Sequence, residues 1–106
     1  MDQEQIQSVA FEIISYSGSA RTKIHEAFSM MRNNELENVE SKLEEANEEI
    51  LLAHKSQTEL LKQYSSGETI NMEIIMVHAQ DHLMTVMTLK EMALEMLYLH
   101  EKVENK

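Results

Sequence analysis

Not one proline and only two glycines, Gly18 and Gly67, occur in the 106 residues of this chain. Average usage would supply roughly 5% Pro and 7% Gly. A β-sandwich or barrel needs a turn about every 8–12 residues, and turns draw on Gly, Pro, Asn and Asp. This chain cannot furnish them, so an all-β fold is excluded and long, uninterrupted helices are expected.

Apolar spacing and the few breakers divide the chain into three such helices, at about 3–32, 35–65 and 71–103. In the first, Ile6, Val9, Ile13, Tyr16, Ala20, Ile24, Ala27 and Met31 recur in steps of three and four, one stripe of an α-helix. Asp2 is placed to cap it, with Gln5 completing a capping box. Gly18, inside Ser15–Ser19, suggests a kink or a close helix contact. Asn33–Asn34 forms the first turn, Asn34 capping the second helix with Glu37 in the capping-box position. That helix carries a near-strict heptad seam of Leu36, Val39, Leu43, Ala46, Ile50, Ala53, Gln57, Leu60 and Tyr64. Gln57 in the seam suggests a polar layer. Ser65–Glu68 makes the second loop. Short loops force antiparallel neighbours, so the expected domain, 1–106, is an all-α, antiparallel, up-down-up three-helix bundle.

The third helix is too apolar for such a bundle. Ile74, Val77, Met84, Thr88, Met92 and Leu99 form one stripe, and Ile75, Val86, Leu89, Ala93, Met96 and Leu97 form another. A helix apolar nearly all round must be buried nearly all round, and two partners cannot cover it. A closed oligomer is expected.

Charge narrows the function. Nine Lys and Arg face 19 Asp and Glu, a formal net charge of −10. Such a surface repels nucleic acid. With 42% hydrophobic residues the chain is not expected to be disordered. The absence of cysteine rules out disulfides, Cys-ligated zinc and thiol catalysis. No apolar run reaches the ~18 residues of a membrane span. No secretory signal is visible, and a cytoplasmic setting is expected.

The chemistry stands inside the apolar third helix, at His78-Ala79-Gln80-Asp81-His82-Leu83-Met84. His78 and His82, four apart, share a face; Asp81 falls on the stripe of Ile74, Val77 and Met84. A lone carboxylate on an apolar seam costs several kcal/mol unless paired, protonated or bound to a cation. Three readings follow. The histidines are satisfied core residues with Asp81 as their partner; or they are a His-x-x-x-His zinc pair, lacking the Glu of a zinc peptidase because Ala79 follows His78; or one of them accepts a phosphoryl group, since neutral imidazole is a nucleophile near pH 7. His25, His54 and His100 lack such a setting. The run Glu44–Glu49 reads as a solvated face.

The segment His78 to Thr85 resembles the central motif of the lactose/cellobiose-specific enzyme IIA family of the bacterial phosphoenolpyruvate-dependent sugar phosphotransferase system. Ala53-His54-Lys55-Ser56-Gln57-Thr58, Phe11-Glu12-Ile13-Ile14, Gly18 and Ala20-Arg21 extend the resemblance over essentially the whole chain. Ala79 is more similar to cellobiose-type and chitobiose-type members than to lactose members. The resemblance implies a homotrimer of three-helix bundles. It implies that the phosphocarrier protein HPr phosphorylates His78 at Nε2, and that His78 passes the group to a cysteine of enzyme IIB, for uptake of a β-linked disaccharide. Gln80 and His82 would flank the phosphohistidine. Three copies of Asp81 would meet on the trimer axis and bind one Mg2+. The alternative is a non-enzymatic helical assembly or adaptor module in which the His–Asp motif holds a structural metal.

Overall fold

A computed structural model describes residues 1–105, so Lys106, the last residue of the expected domain, lies outside it. Among the described residues there are three long α-helices and no strand: α1 (Gln3–Arg32), α2 (Val39–Ser65) and α3 (Ile74–Glu104). They form a rod of 57 × 20 × 18 Å.

Asp2 and Gln5 start α1 as their spacing predicts. The Asp2 carboxylate accepts from the Gln5 amide at 2.8 Å, and the Gln5 side chain accepts from the Asp2 amide at 2.9 Å. At the other end the structure corrects the expectation for Asn34. It caps no helix ahead of it; it closes the helix behind it. Asn34 adopts φ 58°, and Asn34 and Glu35 donate to the carbonyls of Met31 and Met30. This is a Schellman ending, with asparagine in the left-handed position usually held by glycine. The chain then makes a 3-10 turn over Leu36–Asn38, so α2 begins at Val39 rather than near residue 35. Gly67, at φ 97°, closes α2 in the same way, with Gly67 and Glu68 donating to Tyr64 and Gln63. Ile70 then packs against the core and holds the connection extended, so α3 starts at Ile74 rather than Asn71.

The α2 seam is buried as the spacing marks, with Tyr64 turned out to solvent, whereas in α1 Ala10 and Ser17 are buried where the stripe marks the half-buried Val9 and Tyr16. Seven fully buried alanines, among them Ala10, Ala53, Ala79 and Ala93, keep the helices close. Across the α1–α2 seam Lys23 pairs with Glu49 and Lys42 with Glu26, each at 3.1 Å. The hydrogen bond to Glu26 and the charge of Glu45 hold the Lys42 ammonium above its ordinary pKa.

α1 continues unbroken through Gly18, and a Cβ built there meets nothing within 4 Å, so the close contact suggested by this glycine is absent. Gly18→Ala is therefore expected to stabilise the protein by about 0.5–1 kcal/mol, the helix-interior difference between the two residues. Urea unfolding checks this; a destabilised variant would show that the open space beside Gly18 closes when chains assemble.

α3 divides into two faces. Met76, Ala79, Leu83, Val86, Ala93 and Leu97 are buried. Opposite them Ile74, Val77, Met84, Met92 and Leu99 are all more than half exposed, Ile74 at 89%. One bundle leaves this apolar face uncovered, as the sequence predicts.

Candidate functional site

His78 lies one turn into α3, where no proline or glycine disturbs the helix. The i, i+4 step stacks His82 above it. Their Nε2 atoms are 3.1 Å apart, and the rings meet edge to face with centroids 4.5 Å apart and planes at 86°. One ring must donate and the other accept across that contact. His78 is exposed and His82 half-buried, so the outer ring is open to a partner and the inner one is held.

Gln80 does not join them. Two residues on from His78, it lies about 160° round the helix, facing α2. Its carbonyl accepts from the Gln57 side chain and its amide donates to the Met76 sulfur at 3.7 Å. Gln57 is the expected polar layer; its partner was hidden because the spacing within one helix says nothing about what lies across from it. Asp81 is exposed on the uncovered apolar face, midway between Val77 and Met84. Its carboxylate makes no hydrogen bond or ion pair among the described residues, with the histidines or otherwise. Only its main-chain carbonyl is engaged, accepting from Thr85 Oγ1 at 2.8 Å.

These positions bear on the readings left open by spacing. The histidine pair is not a core pair satisfied by Asp81. Nor does a zinc site form within the chain: among the described residues no three His, Asp or Glu side chains converge, and zinc takes three or four protein ligands. What remains is an accessible imidazole with a second imidazole hydrogen-bonded to its Nε2. The other histidines have no such arrangement. His54 Nδ1 is 3.4 Å from Thr58 Oγ1, His25 sits edge-on to Phe28 at 5.9 Å, and His100 shares a groove with Phe28 and Met96.

Known proteins resemble this chain along nearly its whole length. Residues 8–101 match the family model of the lactose/cellobiose-specific IIA subunit of the phosphotransferase system. The lactose-specific EIIA component of Staphylococcus epidermidis is 43% identical over 96% of this chain and 98% of its own. The lichenan-specific enzyme IIA component of Bacillus subtilis is 41% identical over 94% and 91%. Among solved structures, PtcA from S. mutans superposes with a TM-score of 0.93 at 57% identity, covering 95% of this chain and 99% of that one. The cellobiose-specific enzyme IIA of Bacillus anthracis gives 0.92 at 34%, covering 100% and 95%. With a helical fold, a histidine pair at the position marked by the motif and relatives matched end to end, this chain belongs to the lactose/cellobiose-specific IIA family of the phosphotransferase system.

Proposed function

We propose that the protein is a phosphocarrier that takes a phosphoryl group from phospho-HPr onto Nε2 of His78 and hands it to a cysteine of enzyme IIB. The observation that carries this is the exposed His78 ring with Nε2 aimed at the Nε2 of His82. With His78 as the Nδ1–H tautomer and His82 donating from Nε2, the nucleophilic lone pair is held in place. When the donor approaches, the His82 N–H transfers its hydrogen bond to a phosphoryl oxygen. The N–P bond to His78 forms as the donor's N–P bond breaks, and the donor nitrogen keeps the electron pair. Handing on reverses this: a thiolate forms the S–P bond and Nε2 recovers its lone pair. Phosphoryl transfer needs positioning and charge stabilisation more than covalent help, and an open helix face suits a protein donor and acceptor. Gln80, bonded to Gln57, would support the site from behind by fixing the rotation of α3, rather than by touching the phosphate.

The antiparallel bundle implied by the Lys23–Glu49 and Glu26–Lys42 pairs is proposed to assemble as a homotrimer through the exposed face of α3. One Asp81 cannot hold a metal ion alone, but an unpartnered carboxylate in an apolar face fits a site completed by other copies. Three Asp81 carboxylates and waters would hold one Mg2+, which suits hard oxygen donors. The ion would cancel the repulsion among them. Among the described residues no helix is long and apolar enough to cross a membrane, and the proposed place of work is the cytoplasm, beside a membrane enzyme IIC. For the sugar we favour a β-linked disaccharide of cellobiose or chitobiose type. Ala79 and the cellobiose-specific structure support this. Ala79 is fully buried in the bundle, so it marks a lineage rather than reading the sugar.

Incubation with phosphoenolpyruvate, enzyme I and HPr, followed by intact mass, tests the carrier role. The expected result is one acid-labile phosphate per chain, which moves to enzyme IIB when that is added. No phosphate would favour the helical-adaptor alternative.

A further inference from the structure

Two heptad rows face each other along the α1–α3 seam. On α1 the row is Gln7, Ile14, Arg21 and Phe28. Both its ends look at α3: the Gln7 amide contacts the Glu73 carboxylate at 3.5 Å, and Phe28 shares a groove with Met96 and His100. On α3 the row is Ile75, His82, Leu89 and Met96, whose last member lines that same groove. Residues seven apart drift only about 20° on a helix, so the inner members of both rows lie in the seam too. The Phe28–Met96 level sets the register, placing Ile14 opposite His82 and Arg21 opposite Leu89. Arg21 is thus one heptad, about 10 Å of axial rise, beyond His82. Helical side chains lean toward the helix N-terminus, and α1 and α3 rise together, so Arg21 and His78 lean the same way and stay 11 residues, about 16 Å of axial rise, apart.

Charge gives this placement meaning. The chain carries 19 Asp and Glu residues, yet neither row holds one. Arg21 is exposed and has no ion pair among the described residues. Glu26, which shares a surface groove with Arg21, is already bonded to Lys42 at 3.1 Å. The other arginine, Arg32, lies at the level of His100, about 27 Å of axial rise from His82.

We infer that Arg21 is an uncommitted cation on the histidine side of the bundle that helps to balance the phosphoryl dianion at His78, raising the phosphorylated fraction of a chain whose net charge of −10 opposes it. This rests on the carrier role proposed above. A cation roughly 16 Å along the axis from a charge near −2 acts through a field that the Debye length cuts from about 30 Å at 0.01 M salt to about 3 Å at 1 M.

The test is the equilibrium of phosphoryl exchange with phospho-HPr at 0.01 M and 1 M salt, for the full-length protein and three variants. Arg21→Gln is expected to lower the exchange constant about two-fold at 0.01 M and to match the parent at 1 M. Arg21→Lys should restore most of the loss, because only the charge is needed. Arg32→Gln, the same change in net charge placed about 33 Å along the axis from His78, should stay within about 1.2-fold throughout. The inference is overturned if Arg21→Gln equals the parent at low salt, if Arg32→Gln falls as far, or if the loss persists at 1 M, which would mark a packing role. A parent that takes up no phosphate overturns the carrier role itself, and this inference with it.

Discussion

His78→Ala is expected to lose phosphoryl acceptance completely, by more than about 1,000-fold, because the nucleophile itself is gone. The helices should be untouched. His78 is exposed and its one hydrogen bond is to His82, so unfolding stability should change by less than about 1 kcal/mol. His82→Ala keeps the nucleophile but loses the ring that bonds its Nε2. Removing one such donor to a developing anion typically costs about 100-fold or more in rate, so this variant should be labelled slowly but to completion. The decisive contrast is between rate and endpoint: His78→Ala has no endpoint, and His82→Ala reaches the parent's endpoint late. Quench-flow labelling with phospho-HPr measures both. A His82→Ala protein that never takes phosphate, beside a His78→Ala protein that does, would reverse the assignment.

The second large effect concerns Asp81 and the face around it. Ile74, Val77, Met84, Met92 and Leu99 form an exposed apolar patch of a kind that soluble monomers seldom carry. Copies packing there would bring their Asp81 side chains together. Two carboxylates about 4 Å apart repel by roughly 4 kcal/mol at an effective dielectric near 20, and three such pairs outweigh much of the apolar gain. Light scattering at micromolar concentration should therefore show a trimer that chelator weakens and added Mg2+ restores. Asp81→Leu removes the repulsion and extends the apolar row, so its trimer should be at least as stable and indifferent to chelator. A 12.3 kDa particle for the parent in Mg2+ would show that the patch serves something other than self-association. Monomeric Asp81→Leu would mean that the carboxylate makes a needed contact rather than bearing an axial ion.

Much of this could be read from one chain. The stripes of α1 and α2, the Asp2–Gln5 box and the uncovered face of α3 are all local or periodic, and periodicity survives folding. The loops were less legible. Asparagine serves equally well before a helix and in the left-handed position after one, so Asn34 pointed two ways; packing chose the second. The late start of α3 follows from the tertiary anchoring of Ile70, which no local signal marks. In the site, i, i+4 spacing brought His78 and His82 together in sequence as in space. The i, i+2 spacing of Gln80 already argued against its sharing their face, but a family motif read as a string hides that geometry. Arg21 was visible only as part of a motif; the register of α1 against α3 gave it a place.

The most direct measurement is 1H–15N correlation NMR of the protein phosphorylated through enzyme I and HPr, with phosphorus coupling to identify the bonded nitrogen. The account predicts one phosphorylated ring, that of His78, with the phosphorus on Nε2 and a hydrogen-bonded His82 Nε2 proton. Phosphorus on Nδ1, on His82, or on any of His25, His54 and His100 would contradict it.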